Sequence, residues 1–339
     1  MIEPQDITVV IPALDVQAPL GEAIVSVLAH GGLSSPVLVA DASGDPRTAD
    51  AVARLSRHFP LVQHLAAPGA TAGEALNLGL SRCTTGRVLF LEAQDQIVQQ
   101  GLRHLAAAMA PEADLLLSNH TRIDPETGRG RPQRLAPTLP PSPPQAMPWK
   151  ALAPLSLRGV LWRTAFLRGQ DLRFAAQRHY PEAAFMAQAW LAATTVCAVD
   201  QVTCTRHPEQ PGCTLNPRGE RALSAEALAD RMRQILQTVK TTRTPAWRER
   251  FKRRFTLEHE LSTHLFKGHV LPLAALARRA PADARLAPLL AQLQAAVAPY
   301  EASLKTLPAE QQPYWQAVLA QDAAALSRLD PTLPQAEPA

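Results

Sequence analysis

The first two hundred residues alternate between short unbroken apolar runs and longer segments with the apolar spacing of a helix. The runs at residues 7–12, 37–40 and 88–91 lack the polar positions of a half-exposed strand, which indicates strands buried on both faces. Segments 20–29 and 75–82 have helical periodicity. This alternation predicts an α/β fold, with a mostly parallel sheet and helices on both faces. Further predicted elements are a helix at 97–109 and a final strand at 196–204.

The pattern changes twice farther along the chain. Residues 124–150 are rich in proline, which does not fit a regular helix or a central strand, so we expect a long loop there. From about residue 217 only helical periodicity remains. We therefore predict a first domain at 1–216, an all-helical domain at 217–330 and a frayed tail at 331–339. The predicted helices of the second domain are 222–240, 246–266, 270–279, 286–304 and 312–329.

The composition is that of a folded chain. Hydrophobic residues make up 46% of the 339 residues and charged residues 19%, which allows a sizeable core. No apolar stretch approaches the ~18 residues of a membrane span. The start, MIEPQDITVV, lacks the basic region of a secretion signal. We therefore expect a cytoplasmic protein, which could lie at the inner membrane surface.

The positive charge is concentrated in one part of the chain. Residues 206–279 contain 15 Lys and Arg against 7 Asp and Glu. Such an excess suits an anionic polymer, a membrane surface or nucleic acid, and a solvated helix face is an equal alternative. No nucleic-acid-binding motif accompanies the charge, so we expect an anionic polymer or peripheral membrane contact and no nucleic acid.

Acidic residues follow three of the predicted strands. Asp15 comes after the first strand, Asp41 after the second, and Glu92 and Asp95 after the fourth. Ligands of open α/β sheets bind outside the carboxyl ends of the strands, and carboxylates there suit a hard cation with a phosphate ligand. The glycine-rich motifs of dinucleotide-binding Rossmann folds and of P-loop NTPases are absent, which argues against both classes.

Four segments occur in an order that carries a resemblance. VVIPALD, VADASGD, ALNLG and GRVLFLEAQD resemble the motifs of family-2 inverting glycosyltransferases of GT-A type, and the resemblance covers roughly residues 5–215. It implies a GT-A-type, nucleotide-diphospho-sugar-binding sheet followed by an all-helical region. It also implies a hexosyltransferase-type enzyme that transfers a sugar, with inversion, from a UDP-sugar or related donor. The implied acceptor is a cell-surface glycan or a wall polymer of the teichoic-acid type.

The resemblance also implies roles for individual residues. The metal of the family would lie at Asp95, as Mg²⁺ or Mn²⁺. The acidic motif departs from the family pattern, because Glu92 and Gln94 replace aspartates. A lost carboxylate weakens a site for a hard cation. Three outcomes are open: Asp95 holds the metal with help from the donor diphosphate, basic residues replace the metal, or catalysis is lost. The donor-binding positions are Pro12, Asp15, Asp41, Asn77, Glu92, Gln94 and Arg206.

A later segment, RHYPEAAF, matches the family's catalytic base. Inversion needs one carboxylate that takes the proton of the acceptor hydroxyl, and Glu182 is at the matching position. His179 is the reserve candidate, because histidine titrates near neutral pH. A plain structural alternative for Glu182 is a favourable charge at a helix N-terminus. The alternative function is a catalytically impaired protein that keeps the fold and acts as a nucleotide-sugar-binding or scaffolding partner.

Overall fold

The chain divides into two compact units, residues 1–215 and 216–339. The computed structural model describes residues 2–14, 19–30, 34–124, 127–148, 152, 156–207, 222–252 and 255–332.

The first unit is built on one ten-stranded sheet. Its strands are β1 (Ile7–Ala13), β2 (Val37–Asp41), β3 (Val62–Ala66), β4 (Arg87–Phe90), β5 (Gln96–Ile97), β6 (Leu115–Ile123), β7 (Gly130–Gln133), β8 (Leu139–Ser142), β9 (Val160–Arg163) and β10 (Val196–Arg206). Its helices are α1 (Leu20–His30), α2 (Pro46–His58), α3 (Ala72–Arg82), α4 (Gly101–Ala108), α5 (Thr164–Gly169) and α6 (Glu182–Ala192). These elements confirm the predicted α/β fold.

The order of the strands places several strand ends at one edge of the sheet. The order is β3-β2-β1-β4-β9-β6-β10-β5. β1 runs parallel to β2 and β4, and β6 runs parallel to β10. β9 lies between β4 and β6 and runs antiparallel to both, so the sheet is mixed. The carboxyl ends of β1, β2, β4, β6 and β10 therefore share one edge with the amino end of β9. We call this edge the carboxyl edge.

Alternate residues of β1 pack against helices on opposite faces of the sheet, as the sequence predicts. Val9 and Ile11 belong to one apolar cluster with Ile24 of α1. Val10 points to the opposite face, where it meets α3. A Cβ atom built on Gly79 of α3 would lie 2.2 Å from Val10 Cγ1, so α3 approaches the sheet at a distance that only glycine permits.

Two predicted elements of the first unit are wrong in detail. The proline-rich segment contains the short strands β7 and β8, each paired on one side only among the described residues. Proline is tolerated there because a strand at an edge has amide positions that need no partner. The predicted helix 97–109 begins only at Gly101. Its first residue, Ile97, belongs to β5, which pairs with β10, and Gln100 then has a left-handed φ of 61°.

The second unit is helical, as predicted, and shows no strand among its described residues. Its helices pack around Phe266, Tyr314 and Trp315, together with many aliphatic side chains. Two predicted helices are each broken, at Lys252 and Gln321, because both residues adopt left-handed φ values of 53°. The elements are α7 (Ala225–Thr242), α8 (Pro245–Phe251), α9 (Leu257–Glu260), a π-helix (Leu261–Val270), α10 (Leu271–Arg279), α11 (Leu286–Val297), α12 (Glu301–Leu304), α13 (Gln312–Leu319) and α14 (Ala323–Ser327).

A buried carboxyl group lies where α9 passes into the π-helix. Glu260 is fully buried, and burial raises its pKa to about 8, although the positive charge of Arg231 opposes the shift. His264 Nε2 lies 3.8 Å from Glu260 Oε2. Around neutral pH the folded unit therefore favours the protonated form of this side chain.

The close approach of α3 to β1 predicts a stability difference between two helical glycines. Gly79→Ala is expected to lower the free energy of unfolding by about 1–3 kcal/mol, because the added methyl group overlaps Val10. Gly21→Ala in α1 is the control. Its Cβ would meet no atom within 4 Å, so it is expected to be neutral or to stabilise by about 0.4–1 kcal/mol. Denaturant unfolding of both variants checks this, and equal effects would contradict the packing argument.

The buried Glu260 predicts a pH dependence of stability. Its pKa is raised on folding, so its contribution to stability is greatest at acidic pH and is lost as pH rises toward about 8. Glu260→Gln stays neutral and is expected to flatten the fall in stability between pH 5 and 8. Glu258→Gln is the control, because the pKa of Glu258 is lowered, first by a backbone hydrogen bond, and its effect has the opposite sign. Unfolding curves across this pH range check the prediction. Equal pH slopes for wild type and Glu260→Gln would refute it.

Candidate active site

The carboxyl edge of the sheet collects the polar residues that the sequence predicts at strand ends. Asp41 is the last residue of β2, and Glu92 follows two residues after the end of β4. Arg206 is the last residue of β10. Pro12 lies at the end of β1, paired in register with Ala40 of β2. Asp15 lies outside the described residues.

The acidic cluster is occupied by an arginine. Arg158 Nε donates to Asp95 Oδ2 at 2.6 Å, and the same guanidinium group binds Glu92 Oε1 through Nη2. Gln94 Nε2 donates to Glu92 Oε2 at 2.9 Å. The backbone amide of His207 donates to Asp95 Oδ1 at 3.2 Å. All four carboxylate oxygens of Glu92 and Asp95 therefore accept hydrogen bonds from the protein.

The electrostatics of the cluster follow from burial and from these contacts. Burial raises the pKa of Asp95 to about 6, although Arg158 opposes the shift. Burial alone would lower the pKa of Arg158, but the charges of Asp95 and Glu92 outweigh it and raise this pKa. Burial, together with Arg158 and Arg206, lowers the pKa of nearby His120 to about 4. At neutral pH the site thus contains a charged arginine, an ionised Asp95 and a neutral imidazole.

The backbone around Arg158 sets its direction. Gly159 has a left-handed φ of 68°, and a Cβ at this residue would lie 2.7 Å from Ser118 Oγ. Ser118 N and Oγ donate to the Gly159 carbonyl at 2.8 and 2.9 Å. Ser118 Oγ is also 2.6 Å from Thr203 Oγ1 of β10. These contacts fix the turn before β9 to β6 and β10, so that Arg158 lies against the residues that follow β4.

This arrangement does not fit a divalent cation at Asp95. Mg²⁺ and ions like it need several oxygen ligands in a defined geometry, but the oxygens of Glu92 and Asp95 already accept N–H groups. Gln94 Oε1 is buried and accepts no hydrogen bond from the protein, but one neutral carbonyl does not make such a site. Within the described part of the chain, no three His, Cys, Asp or Glu side chains form a group that could hold a metal.

Asp41 organises a second polar group at the same edge. Its Oδ1 accepts Ser43 N at 2.9 Å and Ser43 Oγ at 2.5 Å, and its Oδ2 lies 2.8 Å from His64 Nε2 on β3. Asp41 is buried, whereas His64 is half-buried. Of these residues, only Asp41 is predicted from the sequence as a donor-binding residue. His64 is not predicted, because its pairing with Asp41 depends on the register between the neighbouring strands β2 and β3.

The amide of Asn77 joins α3 to the segment before α6. Asn77 Nδ2 donates to the Phe174 carbonyl at 3.0 Å, and Phe174 N donates to Asn77 Oδ1 at 3.0 Å. A Cβ on Gly73, one turn earlier, would lie 1.7 Å from the carbonyl oxygen of Ala175. The visible contacts of Asn77 are therefore structural, and its donor-binding role stays a prediction.

Glu182 begins α6 and is buried. Its helix is held to the end of β4 by an aromatic cluster. The Phe185 ring stacks on Phe174 with centroids 4.0 Å apart, and the Phe174 ring meets Phe90 edge-on at 5.0 Å. Because Phe90 ends β4, this cluster ties the helix of Glu182 to the strand that leads to Glu92 and Asp95. The two predicted functional groups are thus attached to one packed unit.

His179 lies in the turn that precedes α6. It is half-buried, and its ring centroid is 6.2 Å from that of Tyr180, which has a left-handed φ of 54°. The roles of His179 and Glu182 in catalysis stay predictions.

The contacts of Asn77 predict a loss of stability when its amide is removed. Asn77→Ala is expected to lower the free energy of unfolding by about 1–3 kcal/mol, because two backbone groups of Phe174 lose their partner. Ser81→Ala, on the same helix, is the control, since its hydroxyl binds only the Leu78 carbonyl of its own helix among the recorded contacts. Denaturant unfolding checks the difference, and an unchanged stability of Asn77→Ala would contradict the structural role.

Comparisons with known proteins bear on the fold and on part of the sequence. Residues 8–167 match the family model described as Glycosyl transferase family 2. The matched range includes Asp41, Glu92, Asp95 and Arg158 and ends before Glu182. No curated protein sequence matches the chain.

Similar solved structures extend the likeness to both units. The crystal structure of S. aureus TarS 1–349 in complex with UDP-GlcNAc superposes with a TM-score of 0.65 at 16% identity, covering 96% of this chain and 90% of that one. TarS 1–349 in complex with UDP has a TM-score of 0.57 with the same identity and coverage. The longer S. aureus TarS structure has a TM-score of 0.62 at 16% identity and covers 98% of this chain and 56% of that one. The chain thus has the GT-A-type fold, and over residues 8–167 its sequence matches glycosyl transferase family 2.

Proposed function

We propose that this chain is a glycosyltransferase that moves a sugar from a nucleotide-diphosphate donor to a cell-surface glycan or wall-polymer acceptor, with inversion. The family match over residues 8–167 and the GT-A-type fold support this proposal. The observation that carries it is the buried carboxylate of Glu182, attached through packed aromatic rings to β4, the strand that leads to Glu92 and Asp95. The UDP-GlcNAc and UDP in the TarS complexes make a UDP-sugar the first donor to test.

The donor would extend along the carboxyl edge. Its nucleoside would lie near Asp41, where Ser43 and His64 offer hydrogen-bonding groups held by the carboxylate. Its diphosphate would lie toward Arg206, since a planar guanidinium suits phosphate oxygens. β1 separates β2, which ends at Asp41, from β4, which leads to Glu92 and Asp95, so Asp41 and the acidic cluster stand about 10 Å apart, two strand spacings, which a nucleoside diphosphate can bridge.

Glu182 would act as the general base. Its carboxylate takes the proton of the acceptor hydroxyl while the hydroxyl oxygen attacks the anomeric carbon. The bond from that carbon to the diphosphate oxygen breaks, and the diphosphate leaves with the electron pair. Attack opposite the leaving group inverts the anomeric configuration. His179, three residues earlier, is the alternative base, because its imidazole nitrogen can accept a proton.

The acceptor class is suggested by charge. Residues 206–279 carry a surplus of basic over acidic residues, 15 against 7, which favours an anionic polymer or an anionic membrane surface. None of the described helices has the length and apolarity required to cross a membrane.

A second candidate function has one observation in its favour. Arg158 occupies both carboxylates of the acidic cluster, and this is compatible with a chain that binds a nucleotide sugar without turning it over. The two candidates differ in one measurable quantity, the release of UDP from a bound UDP-sugar.

Glu182→Gln separates these functions. It is expected to lower the rate of UDP release from UDP-GlcNAc, with water or an added glycan as acceptor, by about 10²–10⁴-fold, while UDP affinity measured by calorimetry stays unchanged. Glu226→Gln is the control, because this exposed carboxylate also lies in the first turn of a helix, but in the second unit. His179→Ala tests the alternative base.

Three results would decide against parts of the proposal. Full activity of Glu182→Gln would remove Glu182 as the base. UDP binding by the wild type without release from any UDP-sugar would favour the second candidate. Absence of UDP and GDP binding would exclude both.

A further inference from the structure

The acidic cluster of Glu92 and Asp95 binds a cationic side chain of the same protein, Arg158. One guanidinium group bridges two carboxylates that are next to a predicted diphosphate position, and only 9% of the Arg158 side chain is exposed. Asp95 is fully buried. Pro12, Glu92, Asp95 and Arg158 line the same largely apolar pocket. The arginine is therefore part of the wall of the site, where a bound ion would otherwise balance the two acids.

Charge supports the same conclusion. The guanidinium of Arg158 contacts both carboxylates, and the positive charge of Arg206 also acts on Asp95. Two guanidinium groups supply as much positive charge as one divalent cation. Arginine keeps its positive charge at every pH at which proteins are folded, so this charge is permanent.

Gln94 fits this arrangement better than an aspartate does. Its Nε2 donates a hydrogen bond to Glu92 Oε2. A carboxylate at residue 94 has no donor for this bond and adds a third negative charge to a buried cluster. The departure of Gln94 from the acidic motif and the presence of Arg158 are therefore consistent with each other.

We propose that Arg158 replaces the divalent cation in this chain, so that the nucleotide-diphosphate donor binds without metal. The proposal rests on the proposed function for the identity of the donor. Arg158 balances Glu92 and Asp95 from within the protein. A metal ion at Asp95 would have to displace a hydrogen-bonded guanidinium and leave it buried beside a second positive charge, which is unfavourable.

The first experiment uses the wild-type chain. UDP affinity is measured by calorimetry in EDTA and in Mn²⁺, and bound Mn²⁺ is measured by electron paramagnetic resonance without nucleotide. UDP affinity is expected to differ by less than about twofold between the two conditions, because no metal contributes to binding. No stoichiometric Mn²⁺ is expected on the protein. Mn²⁺ bound at one equivalent, or a UDP affinity that falls about tenfold or more in EDTA, would overturn the proposal.

The second experiment opens the cluster. Arg158→Ala frees the oxygens of Glu92 and Asp95, so this variant is expected to bind Mn²⁺ and to gain melting temperature when Mn²⁺ is added. Arg158→Ala combined with Asp95→Asn is expected to lose this response. Arg163→Ala is the matched control, because Arg163 lies at the other end of β9 and pairs with Asp114 instead. A Mn²⁺ response equal in Arg163→Ala, or one that persists in the double variant, would overturn the assignment.

The two experiments also separate this inference from the proposed function. Failure of the wild type to bind UDP and GDP would reject the proposed function, whereas the Mn²⁺ measurements need no nucleotide and still decide whether Arg158 occupies a cation site. If Arg158→Ala does not fold, Arg158→Lys replaces it. Lysine keeps the charge but does not bridge two carboxylates as a planar guanidinium does, so a partial Mn²⁺ response is expected. A complete lack of response in Arg158→Lys would count against the proposal.

Discussion

The bridge from Arg158 to Glu92 and Asp95 is the interaction on which the candidate site depends. It joins the end of β4 to the turn before β9, and the amide of His207 after β10 completes it. Three strands therefore meet at one pair of carboxylates. Without a cation at this point, two acids would be buried beside each other, which is strongly unfavourable. The arginine is thus a condition for the geometry of this edge, whatever ligand the edge binds.

Buried ion pairs contribute little net stability, because desolvation offsets much of their attraction. Apolar residues of similar size would fill the same space at least as well for folding alone. The chain nevertheless keeps Arg158 in a turn that requires a left-handed Gly159 and a hydroxyl contact to Ser118. This combination is better explained by a need for positive charge at the carboxyl edge than by a need for stability.

The sequence alone predicts the parts of the fold that depend on local pattern. Unbroken apolar runs locate β1, β2 and β4, and acidic residues after them locate Asp41, Glu92 and Asp95 at one edge. What it does not predict depends on pairing between distant segments. The antiparallel insertion of β9 decides that Arg158, and not Arg163, reaches the carboxyl edge. No local pattern distinguishes these two arginines, which flank the same short strand. The π-helix and the break at Lys252 escape prediction for the same reason, since tertiary packing overrides helical periodicity there.

The resemblance to the family motifs locates the acidic cluster but cannot describe its chemical state. Counted as an incomplete acidic motif, Glu92, Gln94 and Asp95 suggest a weak metal site. In the fold, the same three residues form a closed set with Arg158, in which Gln94 donates to Glu92 and the arginine satisfies both acids. A change that looks like loss within one motif is compensated by a residue more than sixty positions later. An incomplete acidic motif in such a chain can therefore be interpreted only when the residue that pairs with its carboxylates is known. Acids left unsatisfied would repel each other and disturb the carboxyl edge, whereas acids paired with the chain's own cation, as Glu92 and Asp95 are here, keep a defined geometry.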